Sequence, residues 1–174
     1  TGQGVNATAN ITINNGVGAV NSSIVNAVAS SAPTINSFAA TRSETVAGRI
    51  DLAWNISAGT DSINSILVTR KAGSQAGAGD TSVTTNNDGS EAVTGLGQGN
   101  AIHFYLQAVN DNGTTTALAN ATTRPAPTID TFTVAAGSSG GEIDITYATT
   151  EADTVTLKED NTNNGSFETS ILDG

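Results

Sequence analysis

Few residues of this chain could do chemistry, and the single histidine is the first to consider. The 174 residues include one His, His103, and no Cys, which excludes a Cys–His pair and a multi-histidine zinc site. His103 lies in the alternating run A-I-H-F-Y-L-Q-A-V-N, residues 101–110, whose period of two predicts a strand with His103 and Tyr105 facing outward. A serine triad needs its histidine in a preformed pocket. We therefore expect no catalytic role, and treat His103 and Tyr105 as surface-binding candidates.

Carboxylates are more plentiful, and two at a suitable separation can hydrolyse a glycoside. Asp51 and Asp144 are the natural pair to consider, in the runs R-I-D-L-A-W (49–54) and E-I-D-I-T-Y (142–147). They occupy equivalent outward positions of a repeated strand, which indicates a repeated surface feature and not a unique acid and base. We assign no catalytic residue and predict that the protein is not an enzyme.

Two loops suggest ligands. The glycine-rich residues 73–79 lack the Lys and following Ser or Thr of a phosphate-binding loop, which predicts an ordinary loop between strands. Residues 160–168, D-N-T-N-N-G-S-F-E, place calcium-type oxygen ligands at Asp160, Thr162 and Asn164. Ile171 stands where a calcium loop has its bidentate Glu, which favours a plain Asn-Gly turn. Calcium at these three residues is the only cofactor candidate.

The net charge and its distribution limit the classes of partner that the protein could bind. The net charge is −10, and Lys and Arg are too few and too scattered to bind nucleic acid. Residues 1–31 carry no charged side chain, residues 32–125 carry seven acids and five bases, and residues 126–174 carry nine acids and one base. No run approaches the ~20 apolar residues of a membrane helix, so we expect no membrane insertion. The absence of Cys fits an extracellular protein.

A repeat defines the organisation. S-A-P-T-I-N-S-F (31–38) returns as P-A-P-T-I-D-T-F (125–132), and strand-like runs follow both copies, the last being I-L-V-T-R-K (66–71) and V-T-L-K-E (155–159). Only the first copy continues, giving seven short strands in about 94 residues, the arithmetic of a β-sandwich.

Both ends of the chain are interpreted as partial modules. The first sixteen residues look like a shortened copy of residues 94–113, so residues 1–31 are predicted to be the last strands of a preceding domain; a flexible leader is the alternative. Residues 32–125 are the complete sandwich and residues 126–174 the first strands of a following one. We expect the missing strands to lie outside this sequence. In the alternative, the tail of one subunit is completed by the head of the next.

The complete copy resembles the fibronectin type III family. The residues that carry the resemblance are Trp54 closing the second strand, Leu96 at the end of the fifth, and F-Y-L-Q-A-V-N-D-N-G, residues 104–113. Ile102 stands where the family has a tyrosine whose hydroxyl bonds back to the backbone, the tyrosine corner, so we expect this hydrogen bond to be absent. A looser immunoglobulin-like sandwich therefore describes the module almost as well. The predicted fold is all-β: tandem seven-stranded sandwiches, one complete and two partial.

The sandwich period also predicts the core. Ile102, Phe104, Leu106 and Ala108 should point inward from the sixth strand, with Trp54 as the largest packing element. Ile35 and its repeat counterpart Ile129 should each start a core.

The resemblance implies a non-enzymatic structural role. Similar domains, rich in Thr, Asn, Gly and Ala, acidic and free of Cys, are found in bacteriophage virion proteins as capsid decorations or fibres, and in bacterial surface proteins. We therefore expect a protein of the virion surface whose partners are other subunits in a multi-copy assembly and host-surface glycans, bound by avidity. The alternative is a bacterial or archaeal cell-surface adhesin or extracellular filament subunit. An accessory domain of a carbohydrate-active enzyme is a third class.

Overall fold

The computed structural model describes residues 6–9, 11–14, 16–21, 25–159, 166 and 169–173, and all its regular elements are β-strands. The chain divides into two compact units, Thr1–Thr123 and Arg124–Gly174. In the described residues, no helix has the length and apolarity needed to cross a membrane. The strands are β1 (Asn6–Ala9), β2 (Thr12–Asn14), β3 (Ala19–Asn21), β4 (Val25–Val28), β5 (Thr34–Arg42), β6 (Ile50–Ser57), β7 (Ser65–Ala72), β8 (Thr81–Thr84), β9 (Ser90–Val93), β10 (Ala101–Asn110), β11 (Gly113–Thr122), β12 (Thr128–Ala136), β13 (Ile143–Thr150), β14 (Thr156–Glu159) and β15 (Thr169–Asp173).

The central module, residues 34–122, is a sandwich of seven antiparallel strands. One sheet has the order β5-β6-β9 and the other the order β11-β10-β7-β8. The first, second and fifth strands of the module thus face the other four, as in a fibronectin-like sandwich. The strands of the module overlap the runs predicted from the sequence, although β9 ends at Val93 and not at Leu96. The all-β prediction is confirmed.

The core of the central module is supplied by alternate residues of facing strands. Along β10 the side chains of Ile102, Phe104, Leu106 and Ala108 are buried, while the residues between them are half-buried on the outer side. Trp54 is buried within the same cluster, as expected, although Phe104 is the largest side chain that is fully enclosed. The predicted inward set of β10 is therefore confirmed.

The corner before β10 is tied by hydrogen bonds of Asn100. The Asn100 side-chain amide donates to the carbonyl oxygen of Leu96 at 2.8 Å, and the Asn100 backbone N–H donates to Thr123 Oγ1 at 2.9 Å. Ile102, which stands at the position of the family's tyrosine, is buried in the core and has no hydroxyl group to donate. The corner is therefore held by an amide two residues earlier in the chain.

The strands β1 to β4 form two short antiparallel ladders, which we call the N-terminal hairpin. β1 pairs with β4 and β2 pairs with β3, so that Asn6 lies opposite Val28 and Asn14 opposite Ala19. β10 and β11 are paired in the same antiparallel way, with Ala101 opposite Thr122. The assignment of the N-terminal hairpin to a preceding domain stays a prediction.

The second unit repeats the opening strands of the central module. β12 pairs with β13 as β5 does with β6, and β14 pairs with β15 as β7 does with β8. The first pair even repeats a β-bulge, between Ile35 and Ser37 and again between Ile129 and Thr131. β15 was not predicted. The unit boundary lies near the predicted one, but the division into residues 1–31, 32–125 and 126–174 stays a prediction.

Ile129 does not start a core, and that expectation is wrong. Its side chain is 74% exposed, whereas Ile35 at the equivalent position packs against the core of the central module. In the central module, β10 and β11 lie over this position; the described part of the second unit holds no equivalent strands. The alternating pattern shows which face of the strand is apolar, but it does not show which element packs against that face.

Candidate functional site

The two surface candidates lie side by side on the outer side of β10. His103 is opposite Asn120 of β11, and Tyr105 is opposite Leu118. Side chains of directly opposed residues in antiparallel strands lie on the same face of the sheet. Together with Gln107 and its partner Thr116, these four residues form one strip, which we call the β10 face.

The β10 face is amphipathic. The Gln107 side-chain amide donates to the Tyr105 hydroxyl at 3.2 Å, which fixes the two side chains relative to each other. Leu118 is an exposed large hydrophobic residue directly opposite the ring. An aromatic ring beside an aliphatic side chain and several amides can stack on the apolar side of a sugar ring and exchange hydrogen bonds with its hydroxyl groups.

A loop borders this strip on the side of β7. Thr69, which lies opposite Tyr105, is buried, and its hydroxyl donates to the Gly77 carbonyl at 2.7 Å. The Gly77 N–H in turn donates to the Asp80 carboxylate at 2.8 Å. The glycine-rich loop is therefore anchored over the sheet by defined hydrogen bonds and restricts the accessible part of the β10 face to β10 and β11.

The register does not assemble a triad around His103. The residues directly opposite it are Lys71 and Asn120, neither of which is a carboxylate, and Lys71 Nζ lies 3.5 Å from Asp80 Oδ1. The absence of enzymatic activity stays a prediction.

The oxygen-rich turn at the tip of the β10–β11 hairpin is used internally. The buried Asn110 amide donates to the carbonyl oxygens of Ser31 at 3.0 Å and Ala58 at 2.8 Å, and its side-chain oxygen accepts from the Asn112 N–H. The Asn64 amide donates to Asp111 at 2.6 Å. These contacts tie the turn to neighbouring loops, which is a structural task.

The predicted calcium ligands Asp160, Thr162 and Asn164 lie outside the described residues, so that prediction stays open. Within the described part of the chain, no group of three or more His, Asp and Glu residues is arranged to hold a metal ion.

Sequence reasoning missed a shallow cleft of about 310 Å³ beside β9. It is lined by Arg49, Asp51, Leu52, Asp88, Ser90, Glu91 and Ala92. Arg49 Nη2 lies 2.6 Å from Asp51 Oδ1, so this carboxylate already has a cationic partner. Asp88 comes from the run N-N-D-G, which the sequence marks only as a turn. Asp144, the repeat counterpart of Asp51, is exposed in the second unit.

The strongest charge cluster of the second unit surrounds Arg124. Its Nη2 donates to Asp153 at 2.7 Å and to the Glu151 carbonyl at 2.9 Å, and its Nε donates to the Glu151 carboxylate at 3.1 Å. The hydrogen bond from Arg124 holds the pKa of Asp153 below its usual range, and the hydrogen bonds to Asp153 and Glu151 raise the pKa of Arg124. Glu151 adopts the left-handed conformation, with φ 58°, so this cluster fixes an uncommon backbone corner.

The solved structures that resemble this chain include one described as the crystal structure of FN3tt. The similarity covers 53% of this chain and 94% of that chain, with 17% sequence identity and a TM-score of 0.42. No protein-family model matches the chain, and no curated protein matches it.

Proposed function

We propose that this chain is a non-enzymatic structural protein whose fibronectin-like modules supply length and a repeated surface. The observation that carries the proposal is the repetition itself: the pairing of β5 with β6, with its bulge, recurs in β12 and β13. Stacked copies of one module present the same surface many times, which suits attachment and stabilisation by avidity.

The proposed setting is extracellular, on the surface of a bacteriophage virion, as a capsid decoration or fibre. An acidic chain without Cys, with a net charge of −10, suits a protein that stays soluble and unlinked outside the cell. Its proposed partners are other subunits of the particle and, through the β10 face, glycans of the host surface.

Immunogold electron microscopy of the native source tests the setting. Antibodies raised against the central module should label capsids or tail fibres. Labelling of cell envelopes or of cell-derived filaments would instead establish the adhesin or filament role. The two outcomes are distinguishable on sight.

Glycan binding is tested with the chain displayed in many copies on a bead. The variant Tyr105→Ala/Leu118→Ala should lose retention on host polysaccharide, because it removes the ring and its aliphatic neighbour from the β10 face. Thr41→Ala, an exposed position in the other sheet, is the matched control and should bind like the unmodified chain. Equal binding by the double variant would refute the glycan assignment, and release of reducing sugar would refute the non-enzymatic role.

A further inference from the structure

The second unit exposes side chains that are enclosed at the equivalent positions of the central module. Ile50 and Trp54 are 0% and 6% exposed, whereas their repeat counterparts Ile143 and Tyr147 are 62% and 39% exposed. A cleft of about 230 Å³ on this side is lined by Ile129, Phe132, Tyr147, Thr149, Val155, Thr156 and Leu157. We call this surface the open face. In the described residues, no further strand of the second unit covers this surface. Contiguous exposed apolar surface of this kind marks an interaction site.

The central module shows what kind of element fits such a face. There the β10–β11 hairpin covers β5 and β6: Phe104 and Leu106 share one core cluster with Trp54, and β10 pairs along the edge of β7. β7 belongs to a sheet of four strands, while its counterpart β14 belongs to a sheet of two in the described residues. The matching occupant is therefore an antiparallel hairpin that lays one strand along β14.

The N-terminal hairpin has the required form. Its strands pair antiparallel, β1 with β4 and β2 with β3. Its first half carries two exposed isoleucines two residues apart: Ile11 is 66% exposed and Ile13 is 69% exposed. The β10–β11 hairpin cannot serve, because its inward-facing side chains Ile102, Phe104, Leu106 and Ala108 are already enclosed in the central module. The exposed isoleucines of one copy and the open face of another are complementary apolar surfaces.

Charge favours this pairing over contact between two open faces. Residues 1–31 carry no charged side chain, whereas residues 126–174 carry nine acids and one base. Two acidic units would repel each other, while an uncharged hairpin meets no such penalty.

We propose that the open face binds the N-terminal hairpin of a second copy of this chain, so that copies assemble head to tail. The interface is heterologous, so an assembly that does not close into a ring grows as a filament. Its biological use rests on the proposed structural role, but its test does not involve glycan binding by the β10 face. Failure of one proposal is therefore distinguishable from failure of the other.

Two blocked variants of the 174-residue chain test the proposal by sedimentation velocity. Ile11→Asp/Ile13→Asp blocks the hairpin and leaves the open face intact; Phe132→Asp blocks the open face and leaves the hairpin intact. The unmodified chain should show a mass that rises with concentration. Each variant alone should stay monomeric, since a charge at a central apolar contact raises Kd by ~30-fold or more.

Mixing the two blocked variants gives the decisive result. Each supplies the half that the other lacks, so the mixture should form a one-to-one dimer and nothing larger. Val46→Asp, which replaces an exposed apolar residue of the central module outside the β10 face, is the matched control and should assemble like the unmodified chain. A monomeric unmodified chain, or a mixture that stays monomeric, would overturn the proposal. So would assembly that survives in the hairpin variant but not in Phe132→Asp, because it would mean that open faces pair with each other.

Folding of the variants is checked separately. Trp54 fluorescence reports on the central module, and hydrogen exchange of β12 and β13 in dilute solution reports on the second unit. If Phe132→Asp unfolds that unit, Tyr147→Lys is the substitute acceptor variant and must give the same one-to-one dimer with the hairpin variant.

Discussion

At the scale of single residues, Trp54 combines a large packing contribution with a polar cost. Its ring is buried in the core, yet its Nε1 is also buried and has no hydrogen-bond partner in the described structure. An unmet buried donor costs about 1–3 kcal/mol, and this offsets part of the free energy gained from packing.

Substitution of Trp54 separates the two contributions. Trp54→Ala should lower the free energy of unfolding by about 3–5 kcal/mol through the cavity it leaves. Trp54→Phe should cost clearly less, because it keeps most of the ring and removes the unmet N–H. Urea unfolding followed by far-UV circular dichroism measures both, with Leu118→Ala as a surface control. Equal losses for the two Trp54 variants would contradict this expectation, because they would mean that neither the retained ring nor the removal of the N–H reduces the loss.

Arg124 gives a prediction about pH. The lowered pKa of Asp153 comes from the Arg124 hydrogen bond, whereas the lowered pKa of Asp130 comes from the hydroxyls of Thr150 and Thr128. A carboxyl whose folded pKa is depressed stabilises the fold above its unfolded pKa of about 3.9, and this stabilisation is lost as pH falls through the folded value. The second unit should therefore weaken below about pH 4.

Arg124→Gln should raise the pKa of Asp153 toward its ordinary value and leave that of Asp130 low. Carboxyl-carbon NMR titration of both residues measures the change. Lys158→Gln removes a positive charge from the same unit and should leave Asp153 unchanged. An Asp153 pKa that stays low in Arg124→Gln would show that another group holds it.

At the scale of elements, strand periodicity was the reliable signal. Seven strands of the central module follow from alternating runs such as residues 101–110 and the turns between them. The corner was not predictable, because nothing in the run G-Q-G-N indicates that the Asn100 amide bonds to the Leu96 carbonyl four residues earlier. The site was partly predictable: alternation places His103 and Tyr105 outward, while their partners Leu118 and Asn120 depend on register. The cleft around Asp88 depends on how a turn folds back, which local sequence does not encode.

Gly59 joins two elements by close approach. It adopts φ +84°, and a Cβ added there would lie 2.5 Å from the Ser31 carbonyl oxygen and 2.8 Å from that of Ala32. Only glycine lets the loop after β6 press against the segment that leads into β5.

Gly59→Ala should therefore destabilise the central module more than Gly73→Ala. Gly73 has a similar φ of +71° but nothing within 4 Å of an added Cβ, so its variant reports the left-handed strain alone, about 1–2 kcal/mol. The excess loss in Gly59→Ala measures the close approach. Urea unfolding followed by Trp54 fluorescence gives both values, and equal losses would mean that the Ser31 segment yields without cost.

At the scale of the whole molecule, the two units differ in how well they are enclosed. The central module has a core of buried residues from both sheets, whereas no described residue between 124 and 159 is buried. Local opening is easiest where few apolar side chains are enclosed. We therefore expect the second unit to be stabilised against local opening more by a partner bound to its open face than by contacts within the unit.

Hydrogen exchange at two concentrations tests this difference. In dilute solution the amides of β12 and β13 should exchange much faster than those of β10. On concentrating the chain, protection should rise in β12, β13 and residues 6–28 together, because the proposed interface orders both partners, and should stay constant in β10. Phe132→Asp should abolish the rise. Equal protection of β12 and β10 in the dilute chain would show that the open sheet is stable alone, and that its exposed apolar side chains do not need a second copy to hold them in place.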